Sequence, residues 1–266
     1  MNIASDDRAL RDRILTPYVK YICSVDAGDF HSGASVLPYF ADGMPGLIFH
    51  QCDGPLFLNE SKKLDPIFLY GQTVEPITIS TPGRLRMTIV YFYPDVVQQL
   101  FGLPAHEITD SCVDLTLLRL NPGYPIQQLL DDAPTDESRE EILKEFIFKL
   151  IVLRGFPLNK EIRYATSMIT HSRGATKMRD LASELQISER TLTRHFEQHV
   201  GVAPKLFSNI CRFRSAINRI QRGQVDSLSG LAADLGYSDQ SHFNREFKKF
   251  SRVTPLDFLN NQTQSF

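Results

Sequence analysis

The 266-residue sequence predicts an α+β protein made of two unlike halves. An N-terminal antiparallel β-barrel or sandwich precedes an all-α half that carries two helix-turn-helix units. Three observations predict this architecture: short apolar runs alternate with turn residues in the first half, one helical pattern occurs twice in the second, and the halves carry opposite net charge. We predict a β-rich domain at 1–125, a linker with an amphipathic helix at 126–157, a helical domain at 158–260 and a tail at 261–266.

Short apolar and β-branched runs predict the strands of the first half, because half-buried strands favour such residues and end at turns. The turn signals are Asp53-Gly54-Pro55 and Pro82-Gly83. After Pro94, the segment DVVQQLFG predicts one short helix that ends at Gly102. Several short strands at this spacing predict an antiparallel barrel or sandwich. The predicted strands are Val36–Phe40, Gly46–Gln51, Leu56–Asn59, Ile67–Tyr70, Ile77–Thr81 and Leu85–Tyr93.

A polar loop, DDAPTDESRE, leads into a predicted helix from Arg139 to Leu153. Apolar residues recur in it every three or four positions, and Phe148 and Ile151 widen the stripe beyond one face. The helix must therefore be covered on more than one side, either by its own barrel or by a second copy of the chain. Gly155 and Pro157 then mark the domain boundary. The stripe consists of Ile142, Leu143, Phe146, Ile147, Leu150 and Leu153.

The segment LASELQISERTLTRHF at 181–196 recurs as LAADLGYSDQSHFNREF at 231–247. The two copies match at an offset of 50 residues up to the turn and 51 after it, so the second copy has one extra turn residue. Each copy predicts a short helix, a turn and a second helix, with Ser188 and Ser238 as N-caps. Two helix-turn-helix units in one chain indicate a protein that binds duplex DNA. The alternative is a pair of ordinary amphipathic helices, and the duplication argues against it.

The second helix of each copy has one apolar stripe and one polar face. Leu192 and Phe196 form the stripe in the first copy, and Phe243, Phe247 and Phe250 form it in the second. Arg, Asn and Gln on the polar faces suit the purine edges of the major groove. The predicted DNA-binding residues are Arg190, Thr193, Arg194, Gln240, Ser241, Asn244 and Arg245.

The matched arginines of the two copies, Arg194 and Arg245, have a second interpretation. They could brace the fold by pairing with acidic residues of the preceding helices, such as Glu184 and Asp234. The sequence leaves both interpretations open.

A helix predicted from Pro204 to Arg222 joins the two units. At 1.5 Å per residue it spans roughly 28 Å, and successive major grooves on one face of DNA lie about 34 Å apart. The spacer could thus hold the two units in register with the duplex. Its arginines are candidates for phosphate contacts or for solvated surface, namely Arg212, Arg214, Arg219 and Arg222.

Residues from about 158 to 260 resemble the DNA-binding domain of the AraC/XylS family of bacterial transcription regulators. The run GYSDQSHFNREFKKF followed by VTP carries the resemblance, with Arg252 where the family usually has Gly. The resemblance implies seven helices, with base contacts from the exposed positions of the third and sixth. The seven residues predicted above occupy those positions.

Residues 15–118 resemble a cupin-like sensor-side domain found in a subgroup of these regulators. The segments LTPYVKYI, LPYFADGMPGLIFH, GQTVEPI and FYPDVVQQLFGLPAHEITDSCVDL carry this resemblance. Tyr39, Phe40 and Ala41 intervene where relatives more often read LPDG. The resemblance implies a regulatory domain.

The chain as a whole is nearly neutral, but its two halves carry opposite net charge. Residues 158–266 hold 16 Lys and Arg against 10 Asp and Glu, whereas residues 1–157 hold 13 against 21. A net charge of +6 suits DNA, and a net charge of −8 in the first half does not. The chain has no apolar run of membrane length and no signal peptide, so we expect a cytoplasmic protein. The scattered cysteines indicate reduced thiols: Cys23, Cys52, Cys112 and Cys211.

The first half offers no catalytic or metal motif. Its histidines are His31, His50 and His106, without H-x-H spacing, and no nucleophile elbow is present. We therefore expect no enzyme activity, no metal and no cofactor, and a structural role for His50. A small molecule in the barrel mouth is a candidate effector. An enzyme domain or a ligand-free dimerisation domain fused to a DNA-targeting module is the alternative.

These observations predict a sequence-specific transcription regulator that reads two successive major grooves and is modulated by its N-terminal domain. The expected partners are double-stranded promoter DNA and RNA polymerase. A small-molecule effector and a second copy of the chain are further candidate partners, and no membrane partner is expected.

Overall fold

The first half of the chain folds into two antiparallel sheets. The computed structural model describes residues 3–26, 35–118, 120, 125–154 and 157–263. One sheet has five strands in the order β1-β8-β3-β6-β9, and the other has four in the order β2-β7-β4-β5. The strands are β1 Val19–Asp26, β2 Ser35–Tyr39, β3 Gly46–Cys52, β4 Leu56–Leu58, β5 Lys62–Leu64, β6 Ile67–Tyr70, β7 Ile77–Thr81, β8 Leu85–Phe92 and β9 Cys112–Asp114.

The six predicted strands are all present, with ends that agree to within one residue, so the expectation of a barrel or sandwich is confirmed. The sequence interpretation missed β1, β5 and β9. Two of these have only three residues, and their hydrogen-bonded partners define them more than their own residue pattern does.

The five-stranded sheet buries both of its faces. Along β8, Met87 and Ile89 point into the core between the sheets, while Val90 and Phe92 point to the opposite side. Helices cover that opposite side, which explains why β8 has no polar face. Gly102 ends the second helix in the left-handed conformation, with φ 73°, as predicted. The helices are α1 Ile3–Leu15, α2 Val97–Phe101, α3 Ile126–Asp131 and α4 Asp136–Arg154.

The long helix α4 is covered mainly by its own domain. Its buried side packs on the five-stranded sheet and on α2 and α3. On another side it contacts α1, where Arg11 donates to Glu141 over 2.6 Å. Val152 and Leu153, at its C-terminal end, stay 64% and 62% exposed. Gly155, which we predicted to mark the domain boundary together with Pro157, lies outside the described residues.

The second half contains seven helices within residues 157–263. Two hydrophobic clusters form, one around each helix-turn-helix unit, and the spacer helix contributes to both. The described helices include none that is long and apolar enough to cross a membrane. The helices are α5 Lys160–His171, α6 Met178–Glu184, α7 Glu189–Val200, α8 Pro204–Gln221, α9 Leu228–Asp234, α10 Gln240–Ser251 and α11 Pro255–Thr263.

Candidate nucleic-acid interface

The first helix-turn-helix unit consists of α6 and α7. Leu192 and Phe196 of α7 are fully buried, and Ser188 caps the helix by accepting a 3.1 Å hydrogen bond from the N–H of Thr191. Gly201 then ends α7 in the left-handed conformation, with φ 96°. Since the cap and the buried stripe fix the rotation of α7, its polar face is turned outward.

The second unit, α9 and α10, follows the same plan with one difference at the turn. Phe243, Phe247 and Phe250 are buried and form the predicted stripe. The prediction that Ser238 caps α10 is wrong. Asp239 is the cap, and its carboxylate accepts a 2.7 Å hydrogen bond from the N–H of His242. The extra turn residue of the second copy moves the capping position by one.

The predicted reading residues lie on the open faces of α7 and α10. The exposed ones are Arg190, Arg194, Gln240, Ser241 and Arg245. Thr193 and Asn244 are half-exposed.

Two of the reading residues form hydrogen bonds within the domain, and a third has a buried polar atom without a partner. Gln240 accepts a hydrogen bond of 2.7 Å from Ser229 of α9. Thr193 donates to the carbonyl of Glu189. The amide oxygen of Asn244 is buried without a partner.

The two matched arginines do not brace the fold. Among the described residues, no salt bridge includes Arg194 or Arg245. The acidic residues proposed as their partners are engaged elsewhere. Glu184 accepts from Tyr164, and Asp234 pairs with Arg219. Arg194 donates a 3.3 Å hydrogen bond to the ring of the neighbouring His195 on the same helix, so in the described part of the chain neither guanidinium group is held by another helix, and both face a ligand on the open side.

The spacer helix α8 has 18 residues, or about 27 Å at 1.5 Å per residue. Three of its arginines are bound within the fold. Arg212 donates to the carbonyl of Gly174, Arg214 to that of Asp42, and Arg219 pairs with Asp234. Arg222 is exposed. Only Arg222 thus remains a candidate for a phosphate contact.

The loop after β2 joins the two domains. Phe40 packs edge-on against Phe213 and Phe258 of the helical domain, at centroid distances of 6.4 and 5.9 Å. Ala41 is buried in the same cluster. Tyr39, Phe40 and Ala41 set this chain apart from the LPDG pattern. Phe40 and Ala41 form the contact with the helical domain, whereas Tyr39 packs against Tyr70 inside the β-domain.

A second contact reaches the C-terminal end of α7. Thr109 donates to the carbonyl of Gly201 over 2.8 Å, and Gln99 donates to Nδ1 of His199 over 3.1 Å. Burial, and then the charge of His195, lower the pKa of His199. The N-terminal half of α7, which carries the predicted reading residues, stays open. No residue pattern in the sequence predicts this contact.

The interior of the β-domain is nearly filled. Its cavity, lined by Tyr39, Phe68 and Tyr70, measures about 40 Å³. His50 is buried and bonds the carbonyl of Asp65 over 2.9 Å, as expected of a structural histidine. Burial lowers its pKa. Among the residues in the described ranges, no group of three His, Cys, Asp or Glu side chains could hold a metal, and His31 lies outside those ranges.

Comparisons with known proteins agree with this geometry. Residues 181–261 match a family described as a helix-turn-helix domain, and residues 11–114 match a domain of unknown function, DUF6597. The HTH-type transcriptional activator RhaS of Escherichia coli O139:H28 is 25% identical over 197 residues, 66% of this chain and 69% of that protein. RhaS of strain K12/DH10B is 24% identical over 197 residues.

The solved structure of ToxT from Vibrio cholerae O395 matches the whole fold. It covers 92% of this chain and 98% of ToxT, with a TM-score of 0.50 and 13% identity. At this identity the match shows the fold alone.

The fold and the paired helix-turn-helix units define a DNA-binding transcription regulator with an N-terminal regulatory domain, and its relatives are regulators, not enzymes. The matched helix-turn-helix domain and the similarity to RhaS support its assignment as a regulator of the AraC/XylS type.

Proposed function

We propose that the open faces of α7 and α10 read base edges in two successive major grooves of a promoter. The reading residues of this proposal are those predicted from the sequence: Arg190, Thr193, Arg194, Gln240, Ser241, Asn244 and Arg245. One observation carries the proposal. Arg194 and Arg245 lie at matched positions of the two units, both are exposed, and no described salt bridge holds either of them.

The length of α8 supports the same proposal. The spacer of about 27 Å is comparable to the separation of about 34 Å between successive major grooves. The two caps, Ser188 and Asp239, fix the N-terminal ends of the reading helices, which are the ends that approach the bases in this motif.

Selection from randomised duplex DNA tests the proposal. We expect the full chain to return a bipartite motif. Arg190→Ala should relax one half of the motif and Arg245→Ala the other, because a good base contact contributes about 1–3 kcal/mol of discrimination. Arg13→Ala, at an exposed position of α1, is the matched control and should return the wild-type motif.

Two results would contradict the assignment. If both variants return the wild-type motif, the reading face is wrong. If either variant weakens binding equally for every sequence and lowers the salt slope by about one, that arginine contacts phosphate.

We also propose partners beyond the promoter. Because promoter DNA lies in the bacterial cytoplasm, we expect the protein to act there. RNA polymerase is its expected protein partner. A second copy of the chain could cover the exposed Val152 and Leu153 at the end of α4. Analytical ultracentrifugation of the wild type and of the Val152→Ser, Leu153→Ser double variant tests the dimer, which the double variant should weaken.

A further inference from the structure

A cavity of about 330 Å³ lies between the two domains, next to the loop that carries Phe40. The β-domain contributes residues that include Lys20, Asp42 and Tyr93 to its walls, and the helical domain contributes residues of α5, of the turn after α5 and of α8. Its size falls at the lower end of the range of small-molecule sites, roughly 300–1,000 Å³. The cavity inside the β-domain, at about 40 Å³, is far smaller. Of these two cavities, the one at the domain interface has the space for a ligand.

The charge of this interdomain cavity is mainly positive. Lys20, Arg173 and Arg214 line it, and within the described ranges none of them has a salt bridge. Burial, and then the positive charge of Arg214, lower the pKa of Lys20. Two cations from different domains thus lie close enough to repel each other.

The one carboxylate in the cavity wall does not neutralise these cations fully. The oxygens of Asp42 accept hydrogen bonds from the Tyr39 hydroxyl and the Met44 N–H, both over 2.8 Å. Arg214 bonds the backbone carbonyl of Asp42, not its side chain. Burial raises the pKa of Asp42, although its hydrogen bonds and the nearby charges of Arg214 and Lys20 oppose this shift.

The remaining walls suit a small organic molecule. Phe207, Met44 and Tyr93 provide apolar and aromatic surface. Ser215 and Asn218 add groups that donate and accept hydrogen bonds. Apolar walls with a few polar groups and a cationic pair are the features of a site for a compact acid.

We propose that this cavity binds a small organic acid, whose carboxylate lies between Lys20 of the β-domain and Arg214 of the helical domain. The acid relieves the repulsion between the two cations and holds the domains together. Its effect on promoter binding rests on the proposed function, whereas the binding itself does not.

Isothermal titration calorimetry of the full chain tests the binding. The probes are malonate, succinate and glutarate, each paired with its neutral diamide. We expect at least one acid to bind at millimolar concentration and the diamides to give no heat. Lys20→Met should weaken that binding tenfold or more, because hydrogen bonds to charged groups contribute about 1.5–3 kcal/mol. Lys205→Met, at an exposed position of the spacer helix and outside the cavity wall, is the control and should bind like the wild type.

The proposal is overturned if no acid binds, if the diamides bind equally, or if Lys20→Met binds like the wild type. A second measurement separates binding from regulation. Fluorescence anisotropy with the selected DNA motif should show a change of affinity when the acid is added to the wild type, and no change with Lys20→Met. Heat of binding without an effect on DNA overturns the regulatory role alone. Loss of the bipartite motif with intact calorimetry overturns only the proposed DNA reading.

Discussion

The interdomain ion pair between Asp95 and Arg163 gives a sharp prediction. Asp95 follows β8 and is fully buried, and its carboxylate accepts a 2.8 Å hydrogen bond from Nε of Arg163 on α5. Arg163 also donates to the carbonyl of Pro17 over 2.6 Å and lies 4.8 Å from the centre of the Tyr93 ring. Replacing Arg163 by Met keeps the apolar part of the side chain and leaves a buried carboxylate without its partner.

The expected loss of unfolding free energy in Arg163→Met follows from the burial of the ion pair. Removing one partner of a buried ion pair costs about 3–5 kcal/mol. Since the Arg163 side chain is 26% exposed, we discount this to about 2–3 kcal/mol. Most of this cost comes from the isolated charge of Asp95.

The cost should depend on pH. Burial raises the pKa of Asp95 in the folded protein, although Arg163 opposes this shift. The folded state then holds the proton to a higher pH than the unfolded state, so stability falls as pH rises through that interval. Without Arg163 the pKa rises further and the penalty at neutral pH grows. Lowering the pH towards about 5 protonates more of the carboxyl group and should shrink the difference from the wild type.

Urea unfolding of the full chain, followed by circular dichroism at both pH values, measures these differences. Adding Asp95→Asn to Arg163→Met should recover part of the lost stability, and Arg13→Met, on the exposed face of α1, should lose none. A destabilisation that is the same at both pH values and is not relieved by Asp95→Asn would refute the reasoning.

Three further predictions concern the helical domain. Phe247→Ala should lower the free energy of unfolding in urea by about 3–5 kcal/mol, because loss of the 1% exposed ring leaves a cavity between Phe213 and Phe258. An unchanged unfolding midpoint would show that the buried face is assigned wrongly. Asp239→Ala should lower the thermal midpoint while Ser238→Ala leaves it unchanged. A hydrogen bond from the His242 N–H lowers the pKa of Asp239, so its stabilisation is lost as pH falls through that pKa, and equal midpoints for both variants would contradict the cap. Arg252→Gly should raise the thermal midpoint, because Arg252 has φ 63° and the left-handed conformation costs a non-glycine residue about 1 kcal/mol. The 3.6 Å ion pair of Arg252 with Glu75 is exposed and should contribute less. A lowered midpoint would show that this ion pair contributes more than the backbone conformation costs.

Local patterns predicted most of the fold. The spacing of Leu192 and Phe196 placed the buried side of α7, and the run of β-branched residues in β8 placed a strand. The Ser238 cap was predicted wrongly because the serine and the following aspartate are both good caps, and only the backbone shows which one starts the helix. The roles of Arg194 and Arg245 could not be assigned from the sequence. Whether they can bind DNA depends on whether the nearby acidic side chains already have partners on other helices.

The contacts between the domains could not be predicted from the sequence for a different reason. Phe40, Asp95 and Thr109 each contact a residue more than 60 positions away, so no periodicity within either segment records the pairing. The extra residues Tyr39, Phe40 and Ala41 gave one indication, because apolar residues in a surface loop are unexpected unless something covers them.

The β-domain contacts both DNA-reading units at once. Phe40 packs against α8 and α11 in the cluster of the second unit, while Thr109 and Gln99 contact the end of α7 in the first. We therefore expect a shift of the β-domain to change the relative position of α7 and α10, which in our proposal enter two grooves at a fixed spacing. The interdomain cavity lies beside one of these contacts, since Asp42 and Met44 in its wall directly follow Phe40 and Ala41. We therefore expect a ligand in this cavity to act on the contact that supports the second unit through the adjacent residues of this loop, without a change inside the β-sheets.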